Sequence, residues 1–187
     1  PDVLCLQECK SLVELMPAEA FAALGYNLIA RGQKGYNGVA ILSRLPLEDV
    51  RVGFDALLPD APEATDLSEQ KRVISALIDG IRVLNLYVPN GSSLKSEKYA
   101  YKLEWLACLR RYLEEQERQG DPLCMVGDFN IAPEDRDSYD PVGLRDTIHH
   151  TREERAHFQQ LLAQGEVPRL NLVERGAGVG LHHQRHL

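Results

Sequence analysis

No stretch of the chain approaches the roughly 18 consecutive apolar residues that a membrane-spanning helix needs. No cleavable signal pattern opens it either, so the expectation is a soluble, cytoplasmic protein. The four cysteines, Cys5, Cys9, Cys108 and Cys124, form no CxxC pair, which argues against the usual zinc spacings. Three of them sit in apolar periodic segments and read as reduced core thiols of a reducing compartment. Basic charge is short as well: 21 Lys and Arg stand against 28 Asp and Glu, a net charge of −7. The chain as a whole therefore exerts no pull on a polyanion. A phosphate-rich partner must be held by a local site, and a cation could supply the missing charge.

With 187 residues, 44% of them hydrophobic, the chain can build one compact domain with a real core. Apolar runs bounded by Gly, Pro and Asn read as strands of a mixed sheet: DVLCL, YNLIA, NGVAILS, RVISALI, IRVLNLYV and DPLCMV. PAEAFAAL reads as a short helix and residues 90–96 as a polar loop. Beyond that loop, Tyr101, Trp105, Cys108, Leu109, Tyr112 and Leu113 recur at helical spacing and predict an amphipathic helix packed on the sheet. TREERAHFQQLLAQG predicts another helix, with Thr151 as N-cap, Glu154 three residues on and Gly165 as the stop. No internal repeat is present.

Three of the apolar runs end in polar groups. Glu8 closes VLCLQE, Tyr87 and Asn90 close VLNLYVPN, and Asp128 and Asn130 close MVGDFN. In layered α/β folds the C-terminal ends of buried strands collect catalytic groups, because the sheet fixes them while the loops beyond can vary. Gly127 allows a close approach of backbone or ligand, and the strand period of two points Asp128 and Asn130 the same way. Taken alone, Asp128 and Asn130 are ordinary turn formers; three such strand ends together point to a site. Oxygen donors without cysteine or histidine suit magnesium or manganese, with Glu8 as a candidate ligand. A phosphodiester repels nucleophiles. Neutral donors such as Tyr87 and Asn130 would stabilise developing charge, and Asp128 could orient or deprotonate a water.

The blocks LQE at 6–8, GQKGYNGVAILS at 32–43, KRVI at 71–74, NLYVPNG at 85–91 and GDFNIAPEDRD at 127–137, in that order, resemble the exonuclease III branch of the endonuclease/exonuclease/phosphatase superfamily. The resemblance implies a four-layered, deoxyribonuclease I-like α/β sandwich. It also implies an AP endonuclease and 3′–5′ exonuclease acting on double-stranded DNA with Mg2+ or Mn2+, in a monomer. By position, Glu8 matches the metal-binding glutamate and Tyr87 the tyrosine at the scissile phosphate. Asp128 matches the aspartate that positions the water, and Asn130 the asparagine that holds the phosphate. Gln33, Lys34, Tyr36 and Asn37 fall in a loop that approaches DNA in this family, with a plain polar hairpin as the alternative. Asn90 is grouped with them as a DNA contact. Lys102 lies where the branch carries a lysine near a helix start; the alternative is a solvated charge on an exposed face.

The resemblance covers residues 1–165. The family's opening strand, with its metal-binding asparagine, and its closing Asp-His pair find no match. The chain is therefore expected to be incomplete at both ends and weak or inactive, with 166–187 an atypical tail in which His182, His183 and His186 are solvated. Two other functions fit the same blocks: a phosphoinositide or nucleotide phosphatase of the superfamily, and a non-catalytic DNA-binding remnant.

Overall fold

The computed structural model describes residues 1–163. The tail at 166–187, with His182, His183 and His186, and the stop at Gly165 lie outside the described residues. Strands β1 (Val3–Gln7), β2 (Asn27–Gln33) and β3 (Tyr36–Ser43) form one sheet in the order β1-β3-β2, antiparallel throughout. Strands β4 (Glu48–Val52), β5 (Val73–Ile78), β6 (Ile81–Tyr87) and β7 (Leu123–Asp128) form a second sheet in sequence order. Among the described residues only the β6–β7 pair is parallel. The two sheets match the four-layered sandwich that the family resemblance implies; the apolar runs alone suggest only a mixed sheet, because they report which strands are buried and not which sheet each joins. Strand β4, EDVRV, is a polar edge strand with no apolar run to announce it.

The helices are α1 (Ala18–Ala23), α2 (Pro62–Ser68), α3 (Glu97–Gln119) and α4 (Arg152–Ala163). Helix α2 escaped the sequence reading; its signal was Pro62 in the first turn, where a missing N–H costs nothing. Helix α3 starts at Ser96, whose Oγ accepts from the Tyr99 N–H, and ends at Gly120 with φ 81°. The expected stripe is present. Trp105, Cys108, Leu109, Tyr112 and Leu113 are buried and Tyr101 half-buried. At α4, Thr151 Oγ1 accepts from Glu154 N while the Glu154 carboxylate accepts from Thr151 N, the reciprocal cap that the spacing predicts. No described helix is long and apolar enough to cross a membrane. All four cysteines are free.

Alternation along β6 sorts the core into two layers. Leu84 and Leu86 face Trp105, Leu106 and Leu109 of α3 in one cluster, which Phe158 and Leu161 of α4 complete. Val83 and Tyr87 face the other way, packing with Val39 and Ile41 of β3 between the sheets. With α1 against β2, the order is helix, sheet, sheet, helices.

Asn85 shares the inter-sheet face of Val83 and Tyr87 and is completely buried. Its Nδ2 donates to Leu6 O and to Ala40 O, both at 2.9 Å, and its Oδ1 accepts from Gln7 Nε2 at 2.7 Å. One amide on the second sheet therefore bonds two strands of the first. An Asn85→Leu substitution leaves the Gln7 amide and two strand carbonyls without this partner, and each buried group so stranded costs about 1–3 kcal/mol. The expected result is a loss of roughly 2–4 kcal/mol in urea unfolding; a loss within experimental error would show that the amide is dispensable.

Candidate active site

Parallel pairing decides where the site forms. Parallel neighbours end on the same side of a sheet, and the β6–β7 register sets Tyr87 directly beside Asp128. Gly127 permits this register: its φ is 136°, and a Cβ there would stand 2.0 Å from Leu86 O. After Asp128 the strand stops. Asn130 adopts φ 48°, and its N–H donates to Asp128 Oδ1 at 3.0 Å, a local turn in place of the extended spacing expected. Phe129 between them packs edge-on against Phe158, with ring centroids 5.3 Å apart.

Glu8 arrives from the first sheet. It follows β1 immediately, in the left-handed region at φ 52°, and Gln7 before it is held by Asn85. The Tyr87 hydroxyl donates to Glu8 Oε1 in a short hydrogen bond, and Lys10 Nζ lies 2.8 Å from Glu8 Oε2. Burial, then the Glu8 carboxylate, holds the tyrosine hydroxyl well above its usual pKa. Tyr87 is therefore a donor at neutral pH and not a base. The Arg72 guanidinium stacks 4.5 Å from the Tyr87 ring centroid and donates to Tyr87 O at 3.0 Å.

The Asn130 amide donates from Nδ2 to Val88 O at 2.9 Å, and its Oδ1 accepts from Asn90 Nδ2 at 3.3 Å. Asn90 in turn accepts from Ser92 N at 3.1 Å. The five strand-end residues Glu8, Tyr87, Asn90, Asp128 and Asn130 thus form one connected neighbourhood. The Gln33, Lys34, Tyr36 and Asn37 segment is a tight hairpin turning at Lys34 and Gly35, with Gln33 paired to Tyr36. It lies alongside the chain beyond Glu8, since Lys10 N donates to Asn37 O at 2.9 Å and Gly35 N to Lys10 O at 3.1 Å. Tyr36 is 72% exposed. Gly38 N donates to Lys71 O at 3.2 Å, so Lys10, Lys34, Lys71 and Arg72 stand on three segments knitted together at this edge of an acidic protein.

Lys102 corrects the sequence reading. It is neither a solvated helix charge nor an ammonium offered to DNA at the surface, because it has no solvent exposure at all. Its Nζ is 2.5 Å from Glu154 Oε1 and donates to Asn130 O at 2.6 Å. Arg72 and Asn85 carry no site role in the sequence reading, and Glu154 only that of a helix cap. Asn85 had a signal: a lone polar residue at an inward position of an apolar strand.

The donor chemistry fits a hard divalent cation. Burial, with the Glu8 charge adding to it, raises the Asp128 pKa above its ordinary value, so two carboxylates repel each other across the site. Among the described residues no group of three His, Cys, Asp or Glu side chains gathers as a metal cage. Magnesium asks for less, one or two carboxylates with retained waters and substrate oxygens. Glu8 would hold such an ion, with Asp128 nearby.

Asp128 yields a test by linkage. A carboxyl whose folded pKa is raised binds its proton more tightly folded than unfolded, so its ionisation opposes folding above that pKa. Below the ordinary value of 3.8 the penalty vanishes. Asp128→Asn keeps an acceptor for Asn130 N and removes the charge. It is expected to raise the urea midpoint of the metal-free chain at pH 8 and to leave it unchanged at pH 3; a lower midpoint at pH 8 would contradict the assignment.

Residues 1–176 match the profile of the endonuclease/exonuclease/phosphatase family. An exodeoxyribonuclease III of Haemophilus influenzae is 34% identical over 180 residues, covering 88% of this chain and 63% of that protein. Among solved structures, a 3′ phosphatase from Neisseria bound to a product DNA hairpin is 43% identical with a TM-score of 0.79, covering 88% of this chain and 61% of that one. An AP endonuclease from Archaeoglobus fulgidus is 37% identical at the same TM-score and coverage. The chain therefore spans less than two thirds of the length of these relatives. Two sheets packed face to face between helices, strand ends converging on Glu8, Tyr87, Asp128 and Asn130, and a profile matching almost its whole length make this chain a member of the endonuclease/exonuclease/phosphatase family.

Proposed function

We propose that this site hydrolyses phosphate esters of double-stranded DNA, in the manner of an exodeoxyribonuclease III: incision beside abasic sites and removal of groups from 3′ ends. The observation that carries the reading is the juxtaposition of Tyr87 and Asp128 in register on parallel strands, with Glu8 bonded to the Tyr87 hydroxyl. That arrangement puts a donor, an acceptor for a water proton and a metal-side carboxylate within one small area. The reading also draws on the Haemophilus and Archaeoglobus relatives.

In this reading Asp128 takes a proton from, or orients, the attacking water. Its raised pKa makes it a better base than an ordinary carboxylate. Asn130 presents its one remaining amide N–H to a non-bridging phosphate oxygen, the other Nδ2 proton being held by Val88 O and the backbone N–H by Asp128 Oδ1. The Tyr87 hydroxyl, whose one proton goes to Glu8 Oε1 in the free chain, would turn it to the same phosphate once a cation occupies Glu8, with Arg72 fixing its ring. Mg2+ or Mn2+ at Glu8 supplies charge neutralisation at the phosphate when bound. Asn90 and the Gln33, Lys34, Tyr36 and Asn37 hairpin contact the DNA backbone, with Lys34 and Arg72 beside the ion-paired Lys10 and Lys71 as the nearby cations.

The Neisseria 3′ phosphatase, at 43% identity, favours a second reading in which phosphate removal from 3′ ends outweighs internal incision. One assay separates the two: duplexes carrying a central abasic analogue or a 3′-phosphate, incubated with Mg2+ and with EDTA. Metal-dependent product from either duplex, falling by about 10²–10⁴-fold in Asp128→Ala, is the expected outcome. Product from the 3′-phosphate duplex alone would select the second reading. No product from either, with release of phosphate from a phosphoinositide, would refute DNA as the substrate.

A further inference from the structure

A fully buried ion pair is poor evidence of stability, because two charges lose their water in return for one contact. Lys102 and Glu154 are both 0% exposed, so the pair asks for another explanation. Its bonding supplies one. The Glu154 carboxylate accepts from Lys102 Nζ, from His149 N at 3.1 Å, and from Thr151 N and Oγ1 at 3.1 and 2.8 Å. Four donors lock it to the start of α4. The ammonium it holds spends its other contacts on two main-chain carbonyls, Asn130 O at 2.6 Å and Asn90 O at 3.4 Å. Those are the two asparagines that face each other across the phosphate side of the site.

Asn130 needs such a brace. A non-glycine residue at φ 48° persists where its surroundings over-determine it. Asp128 Oδ1 takes its N–H, Val88 O takes its side chain, and Lys102 takes its carbonyl. Only the last of these comes from outside the strand ends.

We infer that Glu154, acting through Lys102, is a positioning residue that sets Asn130 and Asn90 as a preformed cradle for a phosphoryl oxygen. The inference rests on the phosphate-ester reading above and assigns to a glutamate on α4, which touches no substrate, a part in binding it. A purely structural role, joining α3 to α4, is the competing explanation, and apolar replacement tells them apart. Lys102→Met with Glu154→Met removes both charges at similar volume and so leaves no unpaired buried charge, while freeing the Asn130 and Asn90 carbonyls and the His149 and Thr151 donors.

The test compares this double variant with the wild-type chain by three measurements: thermal midpoint, kcat and KM on a 3′-phosphorylated duplex with Mg2+, and hydrogen exchange of the Asn130 side-chain amide followed by 15N NMR. The expected result is a folded variant with a lowered midpoint, since the His149 and Thr151 donors lose their acceptor, with kcat lowered about tenfold or more and amide exchange faster by about tenfold. A folded double variant with wild-type kcat and wild-type exchange would overturn the inference. If the wild-type chain turns over no substrate, the phosphate-ester reading fails while the exchange measurement still decides the positioning role. If the double variant does not fold, Glu154→Asp takes its place: it keeps the charge but withdraws the carboxylate by one methylene. Faster Asn130 exchange there supports the brace, and unchanged exchange overturns it.

Discussion

Everything at this site depends on a buried amide that joins two sheets. Sheets packed face to face are held by side chains alone, and apolar side chains resist sliding only weakly because any close-packed arrangement satisfies them. A hydrogen-bonded amide is different. Asn85 reaches Leu6 and Ala40 with its two protons and receives Gln7 with its oxygen, and a slip of one residue would strand all three groups in a dry layer. The register of one sheet against the other is thereby fixed beside the catalytic end. Glu8 follows Gln7 in the chain and Tyr87 follows Asn85 by one strand period, so the amide contact and the Tyr87–Glu8 contact are successive rungs of one ladder.

Charge at the site is arranged to be unbalanced. Burial and the Glu8 charge raise the cost of ionising Asp128, and the Asn130 N–H, Lys102 and Arg72 offset it only in part. Lys102 is itself largely committed to Glu154. A protein selected only for stability would neutralise Asp128, whereas a protein that must bind a cation and a phosphate gains from leaving that deficit for the ligand to satisfy. The same logic bears on how a chain with net charge −7 can serve a polyanion: four of its 21 cationic side chains, Lys10, Lys34, Lys71 and Arg72, stand on segments joined at this edge, although Lys10 and Lys71 are paired there with Glu8 and Glu69.

The strand ends were legible in the sequence because each closes an apolar run with a polar residue that has no reason to be there in a core. The sheet partition was legible only through the family resemblance, since β3 and β5 are continuous apolar runs buried on both faces and fit either sheet equally well. Lys102 was misread for an instructive reason. Apolar periodicity counts only apolar residues, yet Lys102 stands three before Trp105, four before Leu106 and seven before Leu109, all buried. Its helical phase placed it inside. A charge at an inward phase predicts a buried partner, and Glu154 was in view only as a helix cap. One carboxylate serves both purposes, which composition and spacing do not reveal.

Topology explains why these parts coincide. Bringing two strand C-termini side by side requires a parallel pair, and a parallel pair requires a crossover long enough to return the chain to the sheet's starting edge. Between β6 and β7 that crossover is α3, whose 23 residues run back across the second sheet. Its first turns necessarily pass beneath the strand ends that the crossover brings together. Lys102 sits in that stretch, and Asn130 lies just past the end of the strand to which the crossover leads. The geometry that sets Tyr87 beside Asp128 therefore also delivers a helix directly under the phosphate side of the site. A lysine at that point can brace Asn130 without occupying the space the substrate needs.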